Sequence, residues 1–102
     1  MTGYVLSPAA QADVESIWDY TVERWGERQA ETYILAIRDA CAALAEGRRR
    51  GRPIDAIRAG YLKLAVGAHF LFYRFDEAGR IDVVRILHQS MDVPAHLGDK
   101  NG

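Results

Sequence analysis

The stretch from Gly60 to Asp92, GYLKLAVGAHFLFYRFDEAGRIDVVRILHQSMD, constrains the fold of this chain more than any other. Three short apolar runs, Leu62–Val66, Phe70–Phe75 and Ile81–Leu87, are separated by turn residues. Gly67-Ala68 is a tight link between the first two, and Asp76-Glu77-Ala78-Gly79 is a polar loop between the second and third. β-Branched and aromatic runs joined in this way read as successive hairpins, an antiparallel meander. They are too short and too often interrupted for helices of ordinary length. Neither face alternates cleanly. Phe70, Phe72 and Arg74 share one face, and Leu71, Tyr73 and Phe75 the other. One face therefore belongs to a core made with the rest of the chain. The other is either a thin second core or a docking surface.

Ahead of this stretch lie one strand and two helices. Tyr4-Val5-Leu6 is a short apolar run. Ser7 suits an N-cap, and Pro8 suits the first helical position, where its missing N–H costs nothing. Ala10, Val14, Ile17, Trp18, Thr21 and Trp25 then recur at three- and four-residue spacing. Asp13 and Glu15 suit the positive end of that helix. Gly26 ends it. A second stripe, Ala30, Tyr33, Ile34, Ile37, Cys41 and Leu44, runs to a stop at Gly47. So short a link at Gly26 makes the pair an antiparallel helical hairpin. Residues 47–60 read as a connection in which Pro53 opposes regular structure. The expected fold is α+β: an N-terminal strand and a helical hairpin packed on a small antiparallel sheet that the strand joins. It forms a single domain over residues 1–97, and 98–102 are expected to be a disordered tail.

At 102 residues the chain has enough for one core and little to spare. No apolar run is long enough to span a bilayer, and no secretory leader is visible, so the expected location is the cytoplasm, away from membranes. A single cysteine, Cys41, excludes an internal disulfide, and it falls on the buried stripe. The net charge of −1 hides an asymmetry. Residues 1–47 hold eight acidic and three basic residues, whereas 48–102 hold ten basic and six acidic. Arg48-Arg49-Arg50-Gly51-Arg52, followed by Arg58 and Lys63, is the densest basic part. Such a half fits an acidic partner or nucleic acid, or else a solvated helix terminus.

Catalytic signals are sparse. No glycine-rich phosphate loop or serine–histidine motif is present. His69, His88 and His96 lack metal-ligand spacing, so neither a metal nor a cofactor is expected. His88, at the end of the last strand with arginines on nearby strands, is the candidate general base of an RNA-cleaving site. A histidine that simply closes the strand is the simpler reading.

Several pieces in a fixed order carry a resemblance. They are Tyr4-Val5-Leu6-Ser7-Pro8-Ala9-Ala10 with Asp13, then Ile17-Trp18-Asp19-Tyr20, Arg24-Trp25-Gly26, and Ala30-Glu31 with Tyr33. Gly51-Arg52-Pro53 and Arg58-Ala59-Gly60-Tyr61 follow. The most specific are His69-Phe70-Leu71-Phe72-Tyr73-Arg74 and Val84-Arg85-Ile86-Leu87-His88-Gln89-Ser90-Met91-Asp92. Together, over about residues 4–97, the chain resembles the RelE/ParE toxin superfamily, and within it the ParE branch. The resemblance implies the toxin of a type II toxin–antitoxin system, held inactive by a ParD-like antitoxin. That antitoxin has a DNA-binding N-terminal part and a flexible C-terminal part that wraps the toxin. The implied target is DNA gyrase, with DNA contacted only through gyrase or the antitoxin complex. The superfamily's other branch cuts messenger RNA on the ribosome.

Departures from the nuclease pattern favour the gyrase branch. A related endonuclease group has Gly-Lys-Pro-Glu where this chain has Gly51-Arg52-Pro53-Ile54. It has a phosphate-binding arginine where this chain has Phe70, and tyrosine where this chain has Gln89. Many ParE sequences, in turn, carry arginine at the position of Ser90. The alternative, a ribosome-dependent endoribonuclease, would use His88 as acid/base with Arg74 or Arg85 on phosphate. Partner recognition is expected at Arg48, Arg49, Arg52, Arg58, Lys63, Arg74 and Arg85. The strand arginines Arg74 and Arg85 rank first, because fixed backbone loses less entropy on binding.

Overall fold

The computed structural model describes residues 3–91 and Leu97. The expected tail at 98–102, with Pro94 and His96, falls outside the described residues. The element order is β1 (Tyr4–Leu6), α1 (Pro8–Trp25), α2 (Glu27–Ala45), β2 (Arg52–Pro53), β3 (Leu62–Val66), β4 (His69–Phe75) and β5 (Ile81–His88). One sheet, in the order β1-β5-β4-β3-β2, carries the helical hairpin on one face.

The α1 start follows from its cap. Ser7 is extended, and its Oγ accepts the Ala10 N–H at 3.0 Å, with Pro8 next. Gly26, at φ 92°, stops α1 and opens α2 without an intervening residue. Such a φ costs a glycine nothing, and it turns the chain sharply enough to set the helices side by side. The meander forms as the sequence implies, with β3–β4 and β4–β5 antiparallel.

Two features of the sheet differ from the sequence-based expectation. β1 runs parallel to β5, pairing Tyr4–Leu6 with Ile81–Val83, so the sheet is mixed. Residues 47–60 are not wholly irregular either. Arg52-Pro53 pairs with Lys63 and Leu62 as a two-residue edge strand. Proline is tolerated there because an edge strand leaves one row of backbone groups unpaired.

The main core lies between helices and sheet. Ile17, Ile37, Cys41 and Leu44 meet Leu71, Tyr73, Ile81, Val83 and Ile86. α1 contributes less than its apolar spacing implies, since Trp25 is 68% exposed while Ala10, Ile17 and Thr21 are buried. The opposite sheet face is a thin second core of Ile54, Phe72, Leu87 and Leu97, with Tyr61, Phe70 and Val84 packed against it. Phe72 is fully buried there, and burying a ring of that size contributes roughly 1.5–3 kcal/mol.

Candidate functional site

A register shift in the β4–β5 ladder decides where the charged residues point. Phe72 pairs with Arg85 and Tyr73 pairs with Val83, which leaves Val84 as an extra residue in β5. Such a bulge bends the strand and re-aims its side chains. β1 ends at Leu6, opposite Val83, so the β5 edge beyond it needs other partners. The start of α1 supplies them. Ser7 Oγ donates to the Val84 carbonyl at 2.9 Å, and Asp13 Oδ2 accepts the Ile86 N–H at 2.8 Å. Asp13 also takes the Arg85 guanidinium with both oxygens, at 2.8 and 2.9 Å. This hydrogen-bonded carboxylate raises the Arg85 pKa further, against a smaller opposing effect of burial.

The other candidate cations divide between the far side of the sheet and the end of α2. Arg74 pairs with Asp82 at 3.0 Å. Lys63, beside Arg52 in register, places its Nζ 4.2 Å from the Phe70 ring centroid. The Arg58 guanidinium sits 4.8 Å from the Tyr61 ring centroid and donates to the Leu97 carbonyl at 2.8 Å. Arg48 reaches back to Glu46 at 2.7 Å, both well exposed, and Arg49 and Arg50 line a pocket with Phe75 where α2 ends. Arg52, Arg58, Lys63 and Arg74 thus surround the second core. Arg85 is held by α1, and the Arg48–Arg50 loop stands at the α2 terminus.

His88 lies elsewhere. It pairs with His69 at the other end of the sheet, the two rings edge to face at 5.3 Å between centroids. The Ser90 N–H donates to His88 Nδ1 at 3.1 Å, so the neutral ring carries its proton on Nε2. His69 Nδ1 lies 2.7 Å from the Tyr33 hydroxyl. Burial is the main reason the His69 pKa is lowered, with the neighbouring His88 second. Tyr33 also accepts the Ala68 N–H at 2.9 Å, which ties the β3–β4 turn to α2. Tyr20, Trp25 and Met91 stand exposed around these histidines. Arg74 is bound to Asp82, six residues before His88 on β5, roughly 20 Å away at about 3.3 Å per residue. Arg85 and His88 pair with Phe72 and His69, which lie on opposite faces of β4. The structure therefore does not bring Arg74, Arg85 and His88 together.

Among the described residues, no group of three or more His, Cys, Asp or Glu side chains could hold a metal ion. No described helix is long and apolar enough to cross a membrane. Burial pushes the Cys41 thiol up to about 11, which removes its nucleophilic form at neutral pH.

The profile of the ParE toxin of type II toxin–antitoxin systems (parDE) matches residues 4–93. The chain belongs to the ParE toxin family. It is 54% identical over 94 residues to Toxin ParE1 of Mycobacterium tuberculosis (strain H37Rv), covering 92% of this chain and 96% of that protein. It is 42% identical over 98 residues to Toxin ParE1 of Caulobacter vibrioides, covering 96% and 100%. A chain of the chromosomal ParDE TA system from P. aeruginosa superposes with a TM-score of 0.73 at 22% identity, over 86% of this chain and 96% of that one, a likeness of fold.

In this ParE-family toxin, sequence reasoning missed two positioning residues. Asp13 looks like a helix-dipole residue, yet it serves the β5 edge 73 positions away. Tyr33 looks like a core residue, yet its hydroxyl anchors the Gly67-Ala68 turn. One signal was available for the second: that turn has no polar side chain of its own to satisfy its backbone.

Proposed function

We propose that this toxin arrests growth by binding DNA gyrase in the cytoplasm, without cleaving RNA, and that a ParD-like antitoxin neutralises it. One observation carries the reading. Ile54 and Phe70, which stand where the related endonuclease group has a glutamate and an arginine, both belong to the apolar cluster around Phe72 and Leu87. An aliphatic chain and a phenyl ring supply neither proton transfer nor charge stabilisation to a phosphoryl group. The separation of His88 from Arg74 and Arg85 weighs the same way. An acidic antitoxin segment would match the basic side of the sheet, where Arg52 and Lys63 are available and Arg74 is reachable beside Asp82, with exposed Arg49 and Arg50 at the α2 terminus.

The deciding experiment expresses the toxin alone in a bacterium and tests the purified protein against gyrase. Gyrase binding predicts filamentous cells, an induced DNA-damage response and gyrase-dependent DNA cleavage. Intact supercoiling with degraded messenger RNA overturns the proposal and returns the function to the endoribonuclease branch.

A further inference from the structure

The acidic half of the chain is the helical layer, and its outward side has a groove of its own. Between α1 and α2 lies a cleft of about 470 Å³ lined by Val14, Trp18 and Ile34, with Glu15 and Asp19 on its rim. Val14 and Ile34 pack inward against the main core, so the floor is held in place. Glu15 and Asp19 are four apart on one helix and therefore neighbours on its surface. Such like-charge neighbours repel each other. Among the described residues, neither carboxylate has an ion pair or a side-chain hydrogen bond. Asp13, two residues before Glu15, is different, because Arg85 neutralises it. Arg38, one turn past Ile34 on α2, is exposed and forms no ion pair among the described residues.

We infer that this groove is a docking surface for a basic polypeptide segment, seating an apolar side chain over Val14, Trp18 and Ile34. Flanking lysines or arginines pair with Glu15 and Asp19. The apolar floor favours a polypeptide over a free cation, and the carboxylate rim repels the phosphates of nucleic acid. Its charge is opposite to that of the arginine-rich side, so the two surfaces select different partners. The inference goes beyond the gyrase reading and holds whatever the toxin's target is.

The test uses nitrogen-15-labelled full-length chain and two probe peptides. Both are amphipathic helices with one leucine face, one flanked by lysines and the other by glutamates. The lysine peptide is expected to shift the amide signals of Val14, Glu15, Trp18, Asp19 and Ile34, and the glutamate peptide to leave them in place. In a Trp25→Phe background Trp18 is the sole tryptophan, and its fluorescence reports the same binding. Glu15→Gln with Asp19→Asn changes two exposed side chains and should weaken the lysine peptide by about threefold to tenfold, as for two exposed ion pairs. A helix-melting scan confirms that this variant is folded. Equal binding of both peptides, shifts confined to the sheet, or full affinity in the double variant would each overturn the inference. Concentration-dependent self-association that Arg49→Ala abolishes would also overturn it, because the occupant would then be a second copy of this chain.

Discussion

Arg85 and Asp13, 72 positions apart, form a two-toothed ion pair that joins the bulged strand β5 to the second turn of α1. Asp13 is the hub, because the same carboxylate also closes the Ile86 N–H. Its loss and the loss of Arg85 are therefore unequal. Asp13→Ala leaves a guanidinium and a backbone donor without their acceptor and should cost about 2–3 kcal/mol. Arg85→Ala leaves Asp13 with the Ile86 N–H and should cost about 1 kcal/mol. Urea unfolding of both variants checks the order. Equal costs would mean that the backbone bond contributes nothing.

His69 sets a pH dependence. Its folded-state pKa is lowered from 6.5, first by burial and then by His88. The unfolded chain therefore takes up this proton before the folded chain does. The stability contributed by neutral His69 is complete above the unfolded value and is lost as pH falls through the lower folded value. The urea midpoint should fall as the medium is acidified through this window. His69→Asn should fall less, so the gap between parent and variant narrows toward acid. Parallel profiles would remove His69 as the source.

Gly51 has no room for a side chain. A methyl group there would meet the Lys63 carbonyl oxygen at 2.6 Å and the Tyr73 ring at 2.8 Å. Its N–H donates to the buried Tyr73 hydroxyl at 2.7 Å. Gly51→Ala should cost on the order of 2 kcal/mol or more, because backbone rather than a flexible side chain must move. Tyr73→Phe removes only the acceptor and should cost about 1–3 kcal/mol, the penalty of a buried unpaired donor. Thermal melts of the two variants give both values, and a neutral Gly51→Ala would show that the β2 edge is free to shift.

The arginines should separate by kinetics in the antitoxin complex proposed above. Arg49 is exposed at the end of α2, so Arg49→Ala should slow association and reduce its salt dependence. Arg74 is half-buried beside Asp82 on the fixed face of β4, so Arg74→Ala should speed dissociation. Arg85→Ala should act through folding stability, since its guanidinium is held by α1. Stopped-flow association and surface-plasmon dissociation read the three effects apart. Unchanged dissociation in Arg74→Ala would assign that arginine to Asp82 alone.

Local chemistry was legible in the sequence wherever the cause lies within a few residues. Ser7-Pro8 set the α1 start, Gly26 the break between helices, and the Gly67-Ala68 and Asp76–Gly79 links the two hairpins. The order of motifs was enough for the family, because family resemblance is carried by residue types in sequence. Tertiary structure decided what depends on groups distant in the chain. Pairing period cannot reveal that β1 joins β5 in parallel, since a three-residue strand fits either direction. The bulge at Val84 and the meeting of Asp13 with Arg85 follow from where α1 crosses the open strand edge. Likewise, an apolar face of β4 reads the same whether it meets a partner or its own chain. Only the return of Ile54 and Leu97 over Phe72 made it a second core, because burial is set by what packs against a side chain and not by the side chain alone.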